Sequence, residues 1–255
     1  MFYKKKIALI YISFLLILLG CDNKQNSISS IQSETIENND QILFNGIIYG
    51  IIEYNGKKWF DRNLGAQEPC SNYKGNKSCW GDLYQWGRAS DGHQHRESGT
   101  SLKQLGTCME SDDRFVLIDA PGDILKEVDK IAASKWYKRC DNKSWYQEAL
   151  NSLCPVGWHV PSVQDIKSLD LKNIRDGFRK IKLSLAGSRT GIERYGMGGN
   201  IIGGGTSGTY WLSSYDKNDK GEIVVGYLDF YTQNVDISFK ESLVDGYSIR
   251  CVKDD

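Results

Sequence analysis

YWLSSYDKNDKGEIVVGYLDFYTQNVDISFKESLVDGYSIRCV, residues 210–252, is the stretch whose reading decides the fold. Runs rich in Tyr, Val, Ile and Phe predict strands at Tyr210–Ser213, Ile223–Phe230, Val235–Phe239 and Tyr247–Val252. Asn218-Asp219-Lys220-Gly221 and Asp245-Gly246 supply turn chemistry between them. Successive short strands joined by tight turns form an antiparallel meander. Upstream the period changes. Pro161-Ser162-Val163-Gln164-Asp165 reads as a helix start, with Ser162 as N-cap and an acid three residues on. Ile166 and Leu169 continue that apolar face, and Ile174, Phe178 and Ile181 mark a second helical stretch. Lys182–Ala186 alternates and is expected to be a strand. Nearer the N-terminus, Ile47–Tyr54, the turn Asn55-Gly56 and Lys57–Phe60 form a hairpin. The expectation is an α+β domain: an antiparallel sheet with one or two helices beside it.

Between these elements lie Trp80–Arg88 (WGDLYQWGR), core-facing through Leu83 and Trp86, and a polar loop over residues 90–107. A short strand is expected at Arg114–Ile118 and helical spacing at Ile124–Ala133. Residues 196–208 hold seven glycines and no regular period. No internal repeat is visible.

The chain's 26 Gly, 4 Pro, 7 Trp and 14 Tyr suit turns and aromatic-rich strands. Formal charge is zero, but three of the 32 basic residues lie within the first twenty positions. The remainder therefore carries 29 basic against 32 acidic residues, about −3, with no basic run that would serve nucleic acid. Lys4, Lys5 and Lys6 precede an apolar run from Ile7 to Leu19, the layout of a secretory signal. It closes on Leu18-Leu19-Gly20-Cys21, which resembles the bacterial lipobox. That resemblance implies a signal peptide over 1–20, cleavage after Gly20, and diacylation of Cys21 with palmitate-type chains. An uncleaved anchor helix is the alternative, and either places the remainder outside the cytoplasm. Asp22 resembles an inner-membrane retention signal of enteric bacteria, a rule that does not transfer across phyla. Residues 22–40 are polar and free of aromatics, so residues 21–41 read as a flexible tether and 42–255 as the domain.

Beyond Cys21 stand Cys70, Cys79, Cys108, Cys140, Cys154 and Cys251, an even set in an oxidising compartment. Fifteen connectivities are open to six cysteines. The expected ordering is Cys70–Cys79 around the polar loop SNYKGNKS, Cys108–Cys140, and Cys154–Cys251 closing a long loop. Zinc is the weaker reading, because there is no CxxC pair and His93, His95 and His159 have no matching spacing.

Three segments occur in order: Lys58-Trp59-Phe60-Asp61-Arg62-Asn63-Leu64-Gly65, Cys154-Pro155-Val156-Gly157-Trp158-His159-Val160-Pro161-Ser162, and Gly246-Tyr247-Ser248-Ile249-Arg250-Cys251-Val252-Lys253-Asp254. Together with Tyr210-Trp211-Leu212-Ser213-Ser214 and WGDLYQWGR, they resemble the Fibrobacter succinogenes major paralogous domain family over residues 42–254. The resemblance implies a secreted or surface-attached domain, often on lipoproteins, distantly related to the C-type-lectin-like fold. It also implies pairing of Cys154 with Cys251. Residues 119–150 match no family motif.

Chemical motifs are sparse. Lectin calcium signatures of the EPN or WND type are absent. Asp216-Lys217-Asn218-Asp219-Lys220-Gly221 has an EF-hand-like start, but Lys220 occupies a ligand position, so a solvated hairpin turn is expected. Asp91-Gly92-His93-Gln94-His95 offers two imidazoles without a third metal ligand, so a surface loop with incidental histidines is expected, and His159 reads as a structural histidine. There is no GxSxG nucleophile motif, no GK[ST] phosphate cradle and no match to the formylglycine-generating active site. Asp61-Arg62-Asn63, with Arg88 and Arg250, is expected to form a buried polar network that fixes the loops, a ligand-contacting cluster being the alternative.

No catalytic residue, metal or cofactor is therefore expected. The anticipated role is recognition of a protein or glycan outside the membrane, through Ser90–Thr107 and Gly196–Gly208 with exposed Tyr and Trp. A cell-envelope enzyme and a purely structural envelope protein are the rivals. A histidine beside a buried carboxylate would favour the enzyme.

Overall fold

The computed structural model describes residues 36–38, 40–120, 135–139, 153–231, 233–240 and 242–254. The signal segment, Cys21, most of the tether, Cys140 and the stretch Ile124–Ala133 lie outside them. Among the described residues no helix is long and apolar enough to cross a membrane.

The first sheet is built from the hairpin strands Gln41–Phe44, Ile47–Tyr54 and Lys57–Phe60. Two Asn-Gly turns connect them, with φ of 50° and 76° at Asn45-Gly46 and 52° and 76° at Asn55-Gly56. Left-handed φ at both central residues matches the twist of the flanking strands. Val252–Lys253 then pairs antiparallel with Lys57–Phe60 on one side and with Trp158–His159 on the other. At the far edge Ile36–Glu37 pairs with Gln41–Phe44, inside the stretch whose composition reads as tether. The Glu37 carboxylate accepts from Trp158 Nε1 at 3.2 Å and from the Lys253 ammonium. Composition registers the lack of apolar surface there. It does not register backbone pairing and an ion pair.

The meander comprises Ser207–Lys217, Ile223–Tyr231 and Asn234–Lys240, all antiparallel, with a register irregularity between Trp211 and Tyr215. In its first turn the Asn218 side-chain oxygen accepts from the Lys220 and Glu222 amides, as a hairpin turn requires. Two expected strands differ. Tyr247–Val252 is split: Gly246–Tyr247 pairs with Tyr84–Gln85, while Val252–Lys253 belongs to the first sheet. The intervening residues cross between sheets. Lys182–Ala186 forms no ladder. Lys182 turns left-handed (φ 58°) to end a helix, and Leu183, Ser184, Leu185 and Ala186 are all buried, so the alternation has no solvent side. Their amides find single partners instead: Ser184 N–H bonds the Tyr210 hydroxyl, and Leu185 N–H the Tyr73 carbonyl.

Helix Val163–Ser168 opens on the reciprocal Ser162–Asp165 capping box, and Ile174–Ile181 on Asn173. Ile166, Leu169, Ile174 and Ile181 pack with Trp59, Tyr210, Leu228 and Phe230 in one core cluster. A second cluster gathers Phe60, Trp86, Trp136, Trp158 and Trp211. The domain is thus mostly antiparallel sheet with few helices, an α+β architecture. Cys70–Cys79 and Cys154–Cys251 are both bonded, with Cα separations of 5.0 and 5.8 Å. Cys108 is also disulfide-bonded, and its expected partner Cys140 lies outside the described residues.

Candidate binding cleft

The three histidines occupy different environments. His93 does not belong to the expected surface loop: it is fully buried, because both ring nitrogens find internal partners. Its Nδ1 lies 2.5 Å from Asp91 Oδ1, and its Nε2 accepts the Gln85 amide at 3.1 Å. Burial pushes its pKa down to about 4. The neutral tautomer that donates to Asp91 and accepts from Gln85 satisfies both nitrogens. His159 places Nδ1 at 2.5 Å from Asp254 and Nε2 at 3.2 Å from Asp165. Hydrogen bonding to Asp165 raises its pKa, favouring an imidazolium clamped between two carboxylates. Burial opposes ionisation of Asp165, but bonds from His159, Ser162 and Lys57 outweigh it and hold the carboxyl below its usual range. Both histidines do sit beside buried carboxylates, the condition that favours an enzyme, yet both are saturated by structural bonds.

His95 differs. Its side chain is 63% exposed, and Nδ1 lies 3.2 Å from Asp82 Oδ2. Nε2 has no partner among the described residues. This pair edges a cleft of about 340 Å³ whose walls include Tyr49, Tyr84, Gln67, Ser90 and Gln94. Tyr49 comes from the first hairpin, and its hydroxyl accepts the Gly65 amide at 3.0 Å. Gly65 has φ 79°, and a Cβ there would stand 2.4 Å from the Asp82 carboxyl, so the carboxyl rests against bare backbone. Burial raises the pKa of Asp82, with the nearby His95 opposing the rise. Burial also pushes Tyr49 up to about 12 and Tyr84 well above its ordinary value. Ser90 is bonded to the Tyr84 side chain, and no bond joins it to His95 among the described residues.

Two arginines, the buried Arg189 and the half-buried Arg96, hold the His95 loop in place. Arg189 donates to the carbonyls of His95 (3.2 Å), Ser98 (2.7 Å) and Gly199 (3.0 Å), with its guanidinium 4.3 Å from the Phe115 ring centroid. It thereby ties the expected rim segments Ser90–Thr107 and Gly196–Gly208 together. Arg96 donates to the Gly81 and Ala186 carbonyls and lies 5.5 Å over Trp80. The exposed large side chains within these two segments are Leu102, Met197, Ile201 and Ile202; exposed Tyr195 lies just before the second, and no exposed tyrosine or tryptophan stands inside either.

The expected polar network resolves into separate parts. Arg62 pairs with Asp61 at 2.7 Å. Asn63 accepts from Arg250 at 2.7 Å, and Arg250 also donates to the Phe60, Ile181 and Lys182 carbonyls. Arg88 stands apart, bonded to Asp91, Gln85 and the Arg114 carbonyl. Among the described residues no cluster of three or more His, Cys, Asp or Glu could hold a metal ion.

Tyr49, Gly65 and Arg189 shape or support the cleft and do not stand out in the sequence as site residues. The readable signal was Asp82, the single acid inside the aromatic segment WGDLYQWGR. No family model, curated protein or solved structure matches the chain.

Proposed function

We propose that the chain is a bacterial lipoprotein, anchored through diacylated Cys21 to the cell membrane or outer membrane and facing outside the cytoplasm. Its domain, of C-type-lectin-like fold, recognises a neutral glycan in the Asp82–His95 cleft. Lys4–Lys6, the apolar run to Leu19 and Gly20-Cys21 support the anchor. The Cys154–Cys251 bond, joining the residues that resemble that fold's paired cysteines, supports the fold. The observation that carries the binding reading is the Asp82–His95 pair itself. It presents an imidazole nitrogen without an internal partner at the edge of a cleft, beside tyrosine rings and neutral amide side chains. Such sites orient a ligand with a few placed polar groups.

The test is binding of the full-length chain, in detergent, to an array of neutral glycans and peptides. Saturable glycan binding is expected, falling about tenfold or more in both His95→Ala and Asp82→Asn with the thermal midpoint preserved. Unchanged binding in both variants overturns the cleft, peptide binding alone overturns the glycan, and an unmodified Cys21 in the intact mass overturns the anchor. The same pair favours a second reading, acid–base catalysis on the bound ligand, because a carboxylate 3.2 Å from an exposed imidazole is a geometry that can pass a proton. Mass spectrometry of the recovered ligand separates the two, since a converted ligand means an enzyme.

A further inference from the structure

A second cleft, of about 550 Å³, is lined by Tyr73, Lys74, Asn173, Arg175, Leu185, Gly205, Thr206 and Gln233. Its lining contains two cations and no acid. Lys74 and Arg175 are both exposed, and neither makes an ion pair among the described residues. The nearest carboxylate on the adjoining helix, Asp176, is taken up by Lys180 at 2.8 Å and Arg179 at 3.0 Å. Arg175 is instead positioned 5.7 Å over the Tyr73 ring.

The walls are preorganised by covalent and main-chain links. Tyr73 and Lys74 ride on the loop closed by Cys70–Cys79. Within it Gly75 has φ 62°, and a Cβ there would stand 2.6 and 2.7 Å from the two sulfurs. The Tyr73 carbonyl accepts the Leu185 amide at 2.7 Å, and the Leu185 carbonyl accepts the Gly205 amide at 2.7 Å. Trp80 Nε1 donates to the Lys74 carbonyl at 2.8 Å, and its ring packs against Gly204, where a Cβ would come within 2.8 Å. Three distant segments (the stapled loop, the chain after the second helix, and the Gly-rich loop) are thus knit into one surface. Asn173 spends its side-chain oxygen on the Asp176 amide and Thr206 its hydroxyl proton on the Gly203 carbonyl, which leaves the Asn173 NH₂ as donor and the Thr206 oxygen as acceptor, and Gln233 adds a neutral amide.

We propose that this cleft is a second ligand site, which takes the carboxylate of an acidic saccharide. Lys74 and Arg175 meet the oxyanion, and Asn173, Thr206 and Gln233 meet sugar hydroxyls. It stands independently of the Asp82–His95 cleft.

The experiment titrates the full-length chain with sodium glucuronate, sodium sulfate, N-acetylglutamate and glucose, reading backbone amide shifts and calorimetric heat. Glucuronate is expected to shift the Lys74, Gly205 and Thr206 amides saturably, more weakly at high salt, while glucose leaves them unmoved. Affinity should fall about tenfold in K74Q/R175Q, two surface changes that leave the core intact, and remain unchanged in H95A. Selective reduction of Cys70–Cys79 should weaken it as well. The site is overturned if neither glucuronate nor sulfate shifts these amides, or if K74Q/R175Q binds like the parent. Equal affinity for N-acetylglutamate, or sulfate binding without glucuronate binding, overturns the saccharide assignment.

Discussion

Acidification from pH 7 to pH 4 should unload a defined share of stability through His93. In the folded chain the imidazole is buried and neutral, and its pKa is pushed down to about 4. In the unfolded chain it takes up a proton near the ordinary value of 6.5. Below 6.5 the unfolded state therefore binds more protons. The contribution is complete above 6.5, falls as pH falls, and is spent near 4. The difference corresponds to on the order of 3 kcal/mol, a large fraction of a typical domain's stability. Other groups act mainly elsewhere. His159, whose pKa is raised, contributes fully below 6.5 and loses its share as pH climbs through the folded value. Asp91 and Asp165 are held below the ordinary 3.8, so their contributions are lost mainly at lower pH. Urea unfolding followed by tryptophan fluorescence, without reductant, at pH 7 and pH 4, compares the parent with His93→Gln. The parent should lose about 2–3 kcal/mol more than the variant across that interval. Equal losses would refute the assignment of a neutral, doubly bonded His93.

Gly65→Ala should cost about 1–3 kcal/mol, because the new Cβ meets the Asp82 carboxyl at 2.4 Å and φ is 79°; thermal melts and loss of glycan binding check it together. Replacing Cys154 and Cys251 by Ser should remove about 4–5 kcal/mol on chain-entropy grounds, since the bond spans 97 residues, and the denaturant midpoint measures it. Arg189→Met should cost about 3 kcal/mol by leaving the His95, Ser98 and Gly199 carbonyls without their charged donor. Hydrogen exchange should then accelerate over residues 95–99 and 199, while the meander stays protected.

Elements whose cause is local were legible in the sequence. The Asn55-Gly56 hairpin and the Ser162–Asp165 box are written within a few adjacent residues, and the structure forms both. Lys182–Ala186 was misread because alternation implies a wet face only if one exists, and here both sides are covered. Tyr247–Val252 was misread because propensity cannot show a chain leaving one sheet for another. The cleft was the least legible part. Asp82 and His95 lie thirteen residues apart on loops without periodicity, and what joins them is long-range: Gly65 under the carboxyl and Arg189 beneath the loop. A glycine's left-handed φ and a buried arginine's carbonyl partners leave no local pattern.

The strand Val252–Lys253 lies inside the first sheet, between Lys57–Phe60 and Trp158–His159. Both neighbours are made long before it. Until it arrives, the nascent chain carries two open strand edges and an unpaired Cys154. The sheet therefore cannot be completed in order of synthesis, and folding waits on one distant insertion. A truncated chain lacking that strand should expose the edges and associate through them. Assembly of this sheet thereby depends on a strand far along the chain from its neighbours, and the Cys154–Cys251 bond then locks that insertion in place.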